Sequence, residues 1–458
     1  MEKENGSWLT EELNSLSLGD TRLNKRLLAI ANNLLAHHQM PINQACGDWS
    51  STKAAYRLFS NEKVTSEKIL TPHKEQTSNR LKNERVVLAL QDTMYLNFTH
   101  HPNKQGLGPI GASKQNLSGL VVHGTLAITP EGLPLGRLTQ EIWAREATDK
   151  NKSKKRRSKP IEEKESYKWI KALRESVSRK PKEVELITIG DRESDIYEMF
   201  LEAEKLDTYI LIRSGQNRQV EEELGLLWSH MDEQKLKKKI KIEIPAKDKT
   251  PSRIAKLEMR YEKVIIKSSL HTRINCDDEG IELTAIWLKE IEVPAGVKAV
   301  RWMLLTNLPV SNSSEALKCV EWYKLRWQIE LYHKILKSGC NVEKCRLETG
   351  SRFARYFALM SIIAWRLFWM SFVNRTNGSL SCTVALTESE WKALYCKIHK
   401  TKILPAEVPS LYQSIRWIAQ LGGFLGRKND GEPGVMSLWR GWQRLNDIVE
   451  SWNILYAP

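Results

Sequence analysis

The first part of the chain follows a helical period. In LGDTRLNKRLLAIANNLLAHH, Leu23, Leu27 and Leu28 form an apolar stripe behind Asp20, a residue type suited to capping the first turn. An amphipathic helix is predicted there, with Arg22, Lys25 and Arg26 as a basic ridge along it. SSTKAAYRLFSNEKVTSEKIL continues as further short helices carrying Lys53 and Arg57. From about residue 85 the period shortens. RVVLALQD reads as a buried strand ending at Asp92, and GLVVHGTLAIT and GLPLGRLTQEIWAR as two more. A basic, turn-rich loop, NKSKKRRSKP, precedes an amphipathic helix in EEKESYKWIKALRESVS. ELITIGDRESDIYEMFLEAEK then predicts a strand ending at Asp191 and a helix with Asp195 as its N-cap, and TYILIRSG a strand ending at Arg213.

Three strands, helix, strand, helix, strand is a mixed α/β order. It places both aspartates at strand ends, on the rim where such folds build their sites. Residues 216–300 break the order. The basic run 235–241 and the alternating segments KKIKIEIPA, IAKLEMRYEKVIIK and IELTAIWLKEIEV predict an inserted, mainly β subdomain. RWMLLTNLP resumes a buried strand, a helix follows, and beyond residue 376 the chain reads as a separate helical unit with a Trp-rich end. Residues 356–373, YFALMSIIAWRLFWMSFV, have a membrane-like length, but Arg366 sits inside the run, so a buried core helix is expected.

The 458 residues suggest about two to four structural units. A net charge of +15 points to a polyanionic partner, nucleic acid ahead of a membrane surface, and sixteen tryptophans offer stacking as well as packing. The seven cysteines are odd in number and contain no CxxC pair, as in a reduced, intracellular protein. His333, Cys340 and Cys345 lie close in sequence but fit no common zinc spacing and lack a fourth ligand. The N-terminus MEKENGSWLTEELN shows no signal-peptide core. Gly106-x-Gly108-x-x-Gly111 satisfies a dinucleotide fingerprint formally. It precedes a strand, however, and Pro109 removes a donor, so a flexible loop is expected, touching DNA through Lys104 and Lys114.

The segment EWYKLRWQIELYHKILKSG carries the most pointed chemistry. On an uninterrupted helix Tyr323, Arg326, Glu330 and Lys337 fall within about 60° of one face. That stripe suits phosphates and a divalent metal, although a solvated face with an Arg326–Glu330 pair would look the same. Asp92 and Asp191 supply matching carboxylates. Such a set repels itself unless a cation neutralises it, and oxygen-only ligation suits Mg²⁺ or Mn²⁺. Paired ions of this kind support in-line phosphodiester chemistry. Glu193 reads as a charge near a helix N-terminus, with a carboxylate that supports the metal ligands from behind as the alternative.

Tyr323-x2-Arg326-x3-Glu330-x6-Lys337 resembles the Y-R-E-K signature of bacterial cut-and-paste insertion-sequence transposases of the DDE superfamily. The resemblance also takes in LGDTR, AAYRLF, QDT at Asp92, DRESD at Asp191, WMLLT, IAQLGGF and LWRGW, nearly the whole chain. It implies an α/β, RNase H-like catalytic domain interrupted by a β-rich insertion and flanked by helical domains. The corresponding divisions are an end-binding domain at 1–75, a catalytic domain at 76–375 with its insertion at 216–300, and a dimerisation domain at 376–458. Asp92, Asp191 and Glu330 take the places of the catalytic, metal-binding triad, with Mg²⁺ as the ion and Mn²⁺ as a substitute. Tyr323, Arg326 and Lys337 correspond to residues holding phosphates around a flipped base, and Trp302 to the tryptophan filling the vacated space. Arg213 corresponds to an arginine on the DNA backbone, and Arg22, Arg26 and Arg57 fall in the end-binding region. The implied partners are double-stranded DNA, as transposon ends and target, and a second copy in a synaptic complex, with neither membrane nor nucleotide cofactor. The implied location is the bacterial cytoplasm, at the nucleoid. A catalytically silent end-binding regulator and a stand-alone structure-selective nuclease are the competing expectations.

Overall fold

The computed structural model describes residues 8–111, 115–146, 159–221, 225–244, 251–268, 280–428 and 430–456. Lys114 and nearly all of the basic loop 151–160 lie outside them. Helices α1 (Trp8–Glu12), α2 (Thr21–Ala36), α3 (Ile42–Ala45), α4 (Trp49–Ser60) and α5 (Ser66–Leu81) precede strands β1 (Val86–Asn97), β2 (Gly108–Ile110), β3 (Leu117–Ile128) and β4 (Pro134–Trp143). Next come α6 (Tyr167–Arg179), β5 (Glu185–Gly190), α7 (Tyr197–Lys205), β6 (Tyr209–Arg213) and α8 (Leu227–Glu233). Strands β7 (Lys238–Ile244), β8 (Arg253–Ile266), β9 (Ile281–Glu290) and β10 (Arg301–Thr306) follow. The chain ends in α9 (Ser313–Lys324), α10 (Trp327–Lys334), α11 (Gly350–Asn377), α12 (Glu388–His399), α13 (Leu411–Leu421) and α14 (Val435–Tyr456). It divides into two compact units, one of residues 1–83, 93–147 and 328–458, the other of residues 84–92 and 148–327.

In the first unit, Asp20 caps α2 as predicted, its carboxylate accepting from the Arg22 N–H, while Leu27, Ile30, Ala31 and Leu34 form the buried stripe. The membrane-like run is the core helix α11, whose most apolar window is 94% buried within the protein. Arg366 is tolerated there because its Nη2 donates to the Ala385 carbonyl at 3.0 Å and its guanidinium lies over the Trp8 and Trp369 rings, 5.0 and 4.4 Å from their centroids. Burial lowers its pKa to about 10, so the charge persists at neutral pH.

A buried polar cluster ties α1 to α5. His73 Nε2 accepts from the Arg137 backbone N–H at 3.0 Å, which leaves Nδ1 to donate to Glu12 at 2.5 Å. Arg80 clamps the same carboxylate with two 2.9 Å bonds. Burial alone would raise the Glu12 pKa, but His73 and Arg80 outweigh it and pull it down to about 2. Strand β3 pairs antiparallel with β2 and β4. Gly136 adopts φ +146°, and a Cβ there would lie 2.0 Å from Thr77 Oγ1, so only glycine lets α5 sit this close to β4. The expected DNA-touching loop around Lys104 is corrected. Lys104 is 8% exposed, donates to the Cys345 and Leu347 carbonyls, and lies over the Phe98 and Phe353 rings.

In the second unit, β1 runs parallel to β5, and β5 to β6, while β10, β9, β8 and β7 extend the sheet antiparallel from β6. The inserted segment is therefore β-rich, as its alternation predicts, but its strands join the central sheet. Trp169 and Leu173 of α6, Phe200 of α7, and Met303 and Leu305 of β10 belong to one buried core. Asp195 does not cap α7, whose N-cap position is Ile196. Instead, 1% exposed, it accepts from Ser214 Oγ, the Gly215 and Gln216 N–H groups, and Arg218 at 2.7 and 3.0 Å. One carboxylate thus holds the loop leaving β6.

Two stability predictions follow from these buried groups. Glu12→Gln should cost ~3 kcal/mol at neutral pH, taking ~1.4 kcal/mol per pH unit of depression. The folded pKa near 2 lies below the ordinary 4.5, so this stability is present above pH 4.5 and is lost as pH falls towards 2. Thermal melts of both proteins should accordingly converge across that interval. Asp195→Ala strands the buried Arg218 and should destabilise the protein by ~3–5 kcal/mol in urea unfolding.

Candidate active site

The β1–β5 ladder pairs Val86 with Glu185 and continues in register to Leu90 opposite Ile189. Two residues further, the same register sets Asp92 beside Asp191. Asp92 is not at a strand end as expected, because β1 continues to Asn97. Asp191 directly follows β5 and caps a short 3₁₀ turn, Arg192–Ser194, by accepting from the Glu193 N–H at 2.9 Å. Ser194 Oγ closes the turn on the Asp191 carbonyl at 2.6 Å. A Cβ on Gly190 would fall 2.2 Å from Ser194 Oγ, so the glycine allows the turn to fold tightly against the strand. Burial raises the Asp191 pKa and the neighbouring Asp92 charge raises it further, while the Glu193 N–H, Arg326 and Lys168 oppose the rise.

A second constellation in the same unit surrounds Trp302, the second residue of β10. Its indole meets the Tyr323 ring edge-on, with centroids 5.3 Å apart and planes at 68°. The Arg213 guanidinium lies 5.8 Å from the Trp302 centroid, donates to the Arg301 carbonyl at 3.1 Å, and is coupled electrostatically to Tyr323. Arg213 Nε is buried and finds no acceptor among the described residues. Burial lowers the Arg213 pKa and raises that of Tyr323, which is 4% exposed. Arg326 acts electrostatically on Asp191, Tyr323 and Arg213 alike.

The expectation of one uninterrupted helical stripe is corrected. Tyr323 lies in the last turn of α9, which ends at Lys324, and Arg326 lies in a two-residue turn before α10. Leu325 and Arg326 donate to the Trp322 and Tyr323 carbonyls, a tighter 3₁₀ pattern. Glu330 belongs to the first turn of α10, and Lys337 to a π-helical turn, Ile335–Gly339. Within the first unit that turn packs closely on Trp439, since a Cβ on Gly339 would lie 2.9 Å from the indole. Lys337 Nζ stands 4.0 Å from Glu343. Asp92, Asp191, Arg213, Trp302, Tyr323 and Arg326 thus share the second unit, while Glu330 and Lys337 belong to the first.

Among the described residues no three His, Cys, Asp or Glu side chains form a metal-holding group. The juxtaposed aspartates nonetheless fit a divalent cation in chemistry. They are oxygen donors, and one is pushed towards protonation by burial and by its neighbour's charge, both of which a cation would offset. Lys168 was missed by the sequence reading. It is 7% exposed on α6, with Nζ 3.6 Å from Glu165 and 3.7 Å from Glu193. Its signal was a lysine on the buried stripe of KWIKALRES, at the spacing of Trp169, Ala172 and Leu173. The end-binding candidates Arg22, Arg26 and Arg57 are exposed in the first unit, and Arg22 is held by Asp20 at 3.1 Å.

Comparison with known families agrees with this geometry along the chain. Residues 5–64 match the transposase DNA-binding family, residues 140–367 the transposase DDE domain, and residues 362–457 the transposase Tn5 dimerisation domain. With DNA-binding, RNase H-like catalytic and dimerisation segments in that order, the chain belongs to the DDE transposases.

Proposed function

We propose that this transposase is a member of the Y-R-E-K group that excises its element through a DNA hairpin and joins the 3′ ends to target DNA. The observation that carries the reading is the pairing of Asp92 with Asp191 in one unit with Arg213, Trp302, Tyr323 and Arg326. Glu330 completes the carboxylate triad in this reading. Bound Mg²⁺, or Mn²⁺ in its place, supplies the positive charge that neutralises the triad and polarises the scissile phosphate.

The chain's own groups position the DNA. Tyr323, Arg326 and Lys337 hold phosphates around a displaced base, and Arg213 holds the backbone. The acceptor-less Nε of Arg213 costs free energy that a phosphate oxygen would offset. Trp302, half-buried at the edge of β10, offers a face where an unstacked base has left a gap. Residues 1–75 bind the element's end through Arg22, Arg26 and Arg57, residues 76–375 do the chemistry, and residues 376–458 pair two protomers in the synaptic complex, at the nucleoid.

Asp191→Ala and Glu330→Ala should each lower Mg²⁺-dependent cleavage of the cognate end at least ~10³-fold, the loss of several kcal/mol of charge stabilisation. Gel-shift binding of that end should stay near wild type; full cleavage by either variant would remove the residue from the triad, and a wild type that binds but never cleaves would mark a silent regulator. Trp302→Ala should slow hairpin formation ~10–100-fold more than first-strand nicking, read on denaturing gels. Equal loss of both steps would make the indole purely structural.

A further inference from the structure

The edge strand β7 carries positive charge that the active site does not use. Lys235, Lys237, Lys238, Lys239 and Lys241 are all exposed. Lys237 rests over the Tyr261 ring, 5.2 Å from its centroid. Glu258, opposite Lys239 in the β7–β8 register, is engaged by Arg260 at 2.9 Å. Lys241 faces Lys256, which is itself paired with Glu292 at 2.5 Å. One or two lysines suffice to keep an edge strand from pairing with another chain. Five exposed lysines within residues 235–241 exceed that need and favour a polyanion.

The register says where such a polyanion would run. Trp302 pairs with Leu288, Leu288 with Met259, and Met259 with Lys238. Trp302 and Lys238 therefore stand on one row of the sheet, three strands apart, about 14 Å at the usual strand spacing. The adjacent row joins Arg301, Lys289, Glu258 and Lys239. Because β10 is antiparallel to β6, the end where β10 begins is also where β6 finishes at Arg213 and β5 gives way to Asp191. A duplex lying along that rim covers 14 Å in about four base pairs.

We propose that the lysine edge of β7 grips the phosphate backbone of the bound transposon end's own duplex, about four base pairs from where Trp302 and Arg213 engage it. The inference rests on the reading of Trp302 and Arg213 as DNA contacts. Backbone contacts of this kind fix register and add salt-dependent affinity without reading sequence.

The test uses the full-length protein with Lys238, Lys239 and Lys241 all changed to Gln, and a companion with all three changed to Arg. Affinity for the cognate end is measured across salt concentrations. The slope of log affinity against log salt should shrink by about 2.7 in the Gln variant, about 0.9 per lost phosphate contact, and stay at the wild-type value in the Arg variant. The difference should vanish when the duplex is trimmed from one side to within about four base pairs of the cleavage point. Matching thermal melts exclude misfolding as the cause of a reduced slope. An unchanged slope overturns the proposal, including the case where the Gln variant only self-associates, which marks the lysines as edge guards. A loss confined to capture of unrelated target duplex overturns it as well. Failure of the underlying site reading would show separately, as equal loss of nicking and hairpin formation in Trp302→Ala.

Discussion

The parallel hydrogen-bond ladder between β1 and β5 is the constraint on which the site depends. Its register decides that two carboxylates about a hundred residues apart in sequence become neighbours, and a slip of one residue would send one of them to the opposite face. The arrangement is costly in the free protein, since burial and like charge both raise the Asp191 pKa. The surrounding structure holds it in place. The Gly190–Ser194 turn fixes the loop that carries Asp191, and the Asp195–Arg218 pair fixes the loop leaving β6 beyond Arg213. Removing Asp195 would therefore loosen a site it never touches.

The parts of this architecture that were legible in the sequence were those set by local chemistry. The Asp20 cap, the strand that stops before Asp191 and the buried character of 356–373 each depend on a few neighbouring residues. What was not legible depends on distant partners. Nothing in RVVLALQD says that the strand will continue through Asp92, because the extension belongs to pairing with residues beyond 117. Asp195 looked like a cap because its partner, Arg218, lies outside any local window. The break between α9 and α10 was hidden for a different reason: KLRW contains no helix breaker, and the interruption is only a local tightening of the hydrogen bonds. Lys168 was hidden by its type, since a lysine is read as solvated even when it falls on a buried stripe.

The family match and the geometry describe different things. The matched segments establish what kind of enzyme this is, whereas the geometry ranks residues within it. Trp302, Tyr323 and Arg213 form a preassembled aromatic and cationic group, with the edge-on ring contact and the guanidinium near the indole already present in the protein alone. Such preorganisation lowers the cost of ordering side chains when DNA arrives. Arg22, by contrast, is folded back on Asp20, so any DNA contact it makes must compete with that pair.

Arg366 has a consequence for how the protein can be cut. Its guanidinium is shielded by Trp8, near the beginning of the chain, and donates through Nη2 to the Ala385 carbonyl, within the segment matched to dimerisation. Trp8 lies in the segment matched to DNA binding. A chain shortened from either end would leave the same buried cation short of a partner, so the terminal segments are thermodynamically interdependent. They are separate by family and by role, yet removing Trp8 from one or Ala385 from the other uncovers the same buried charge.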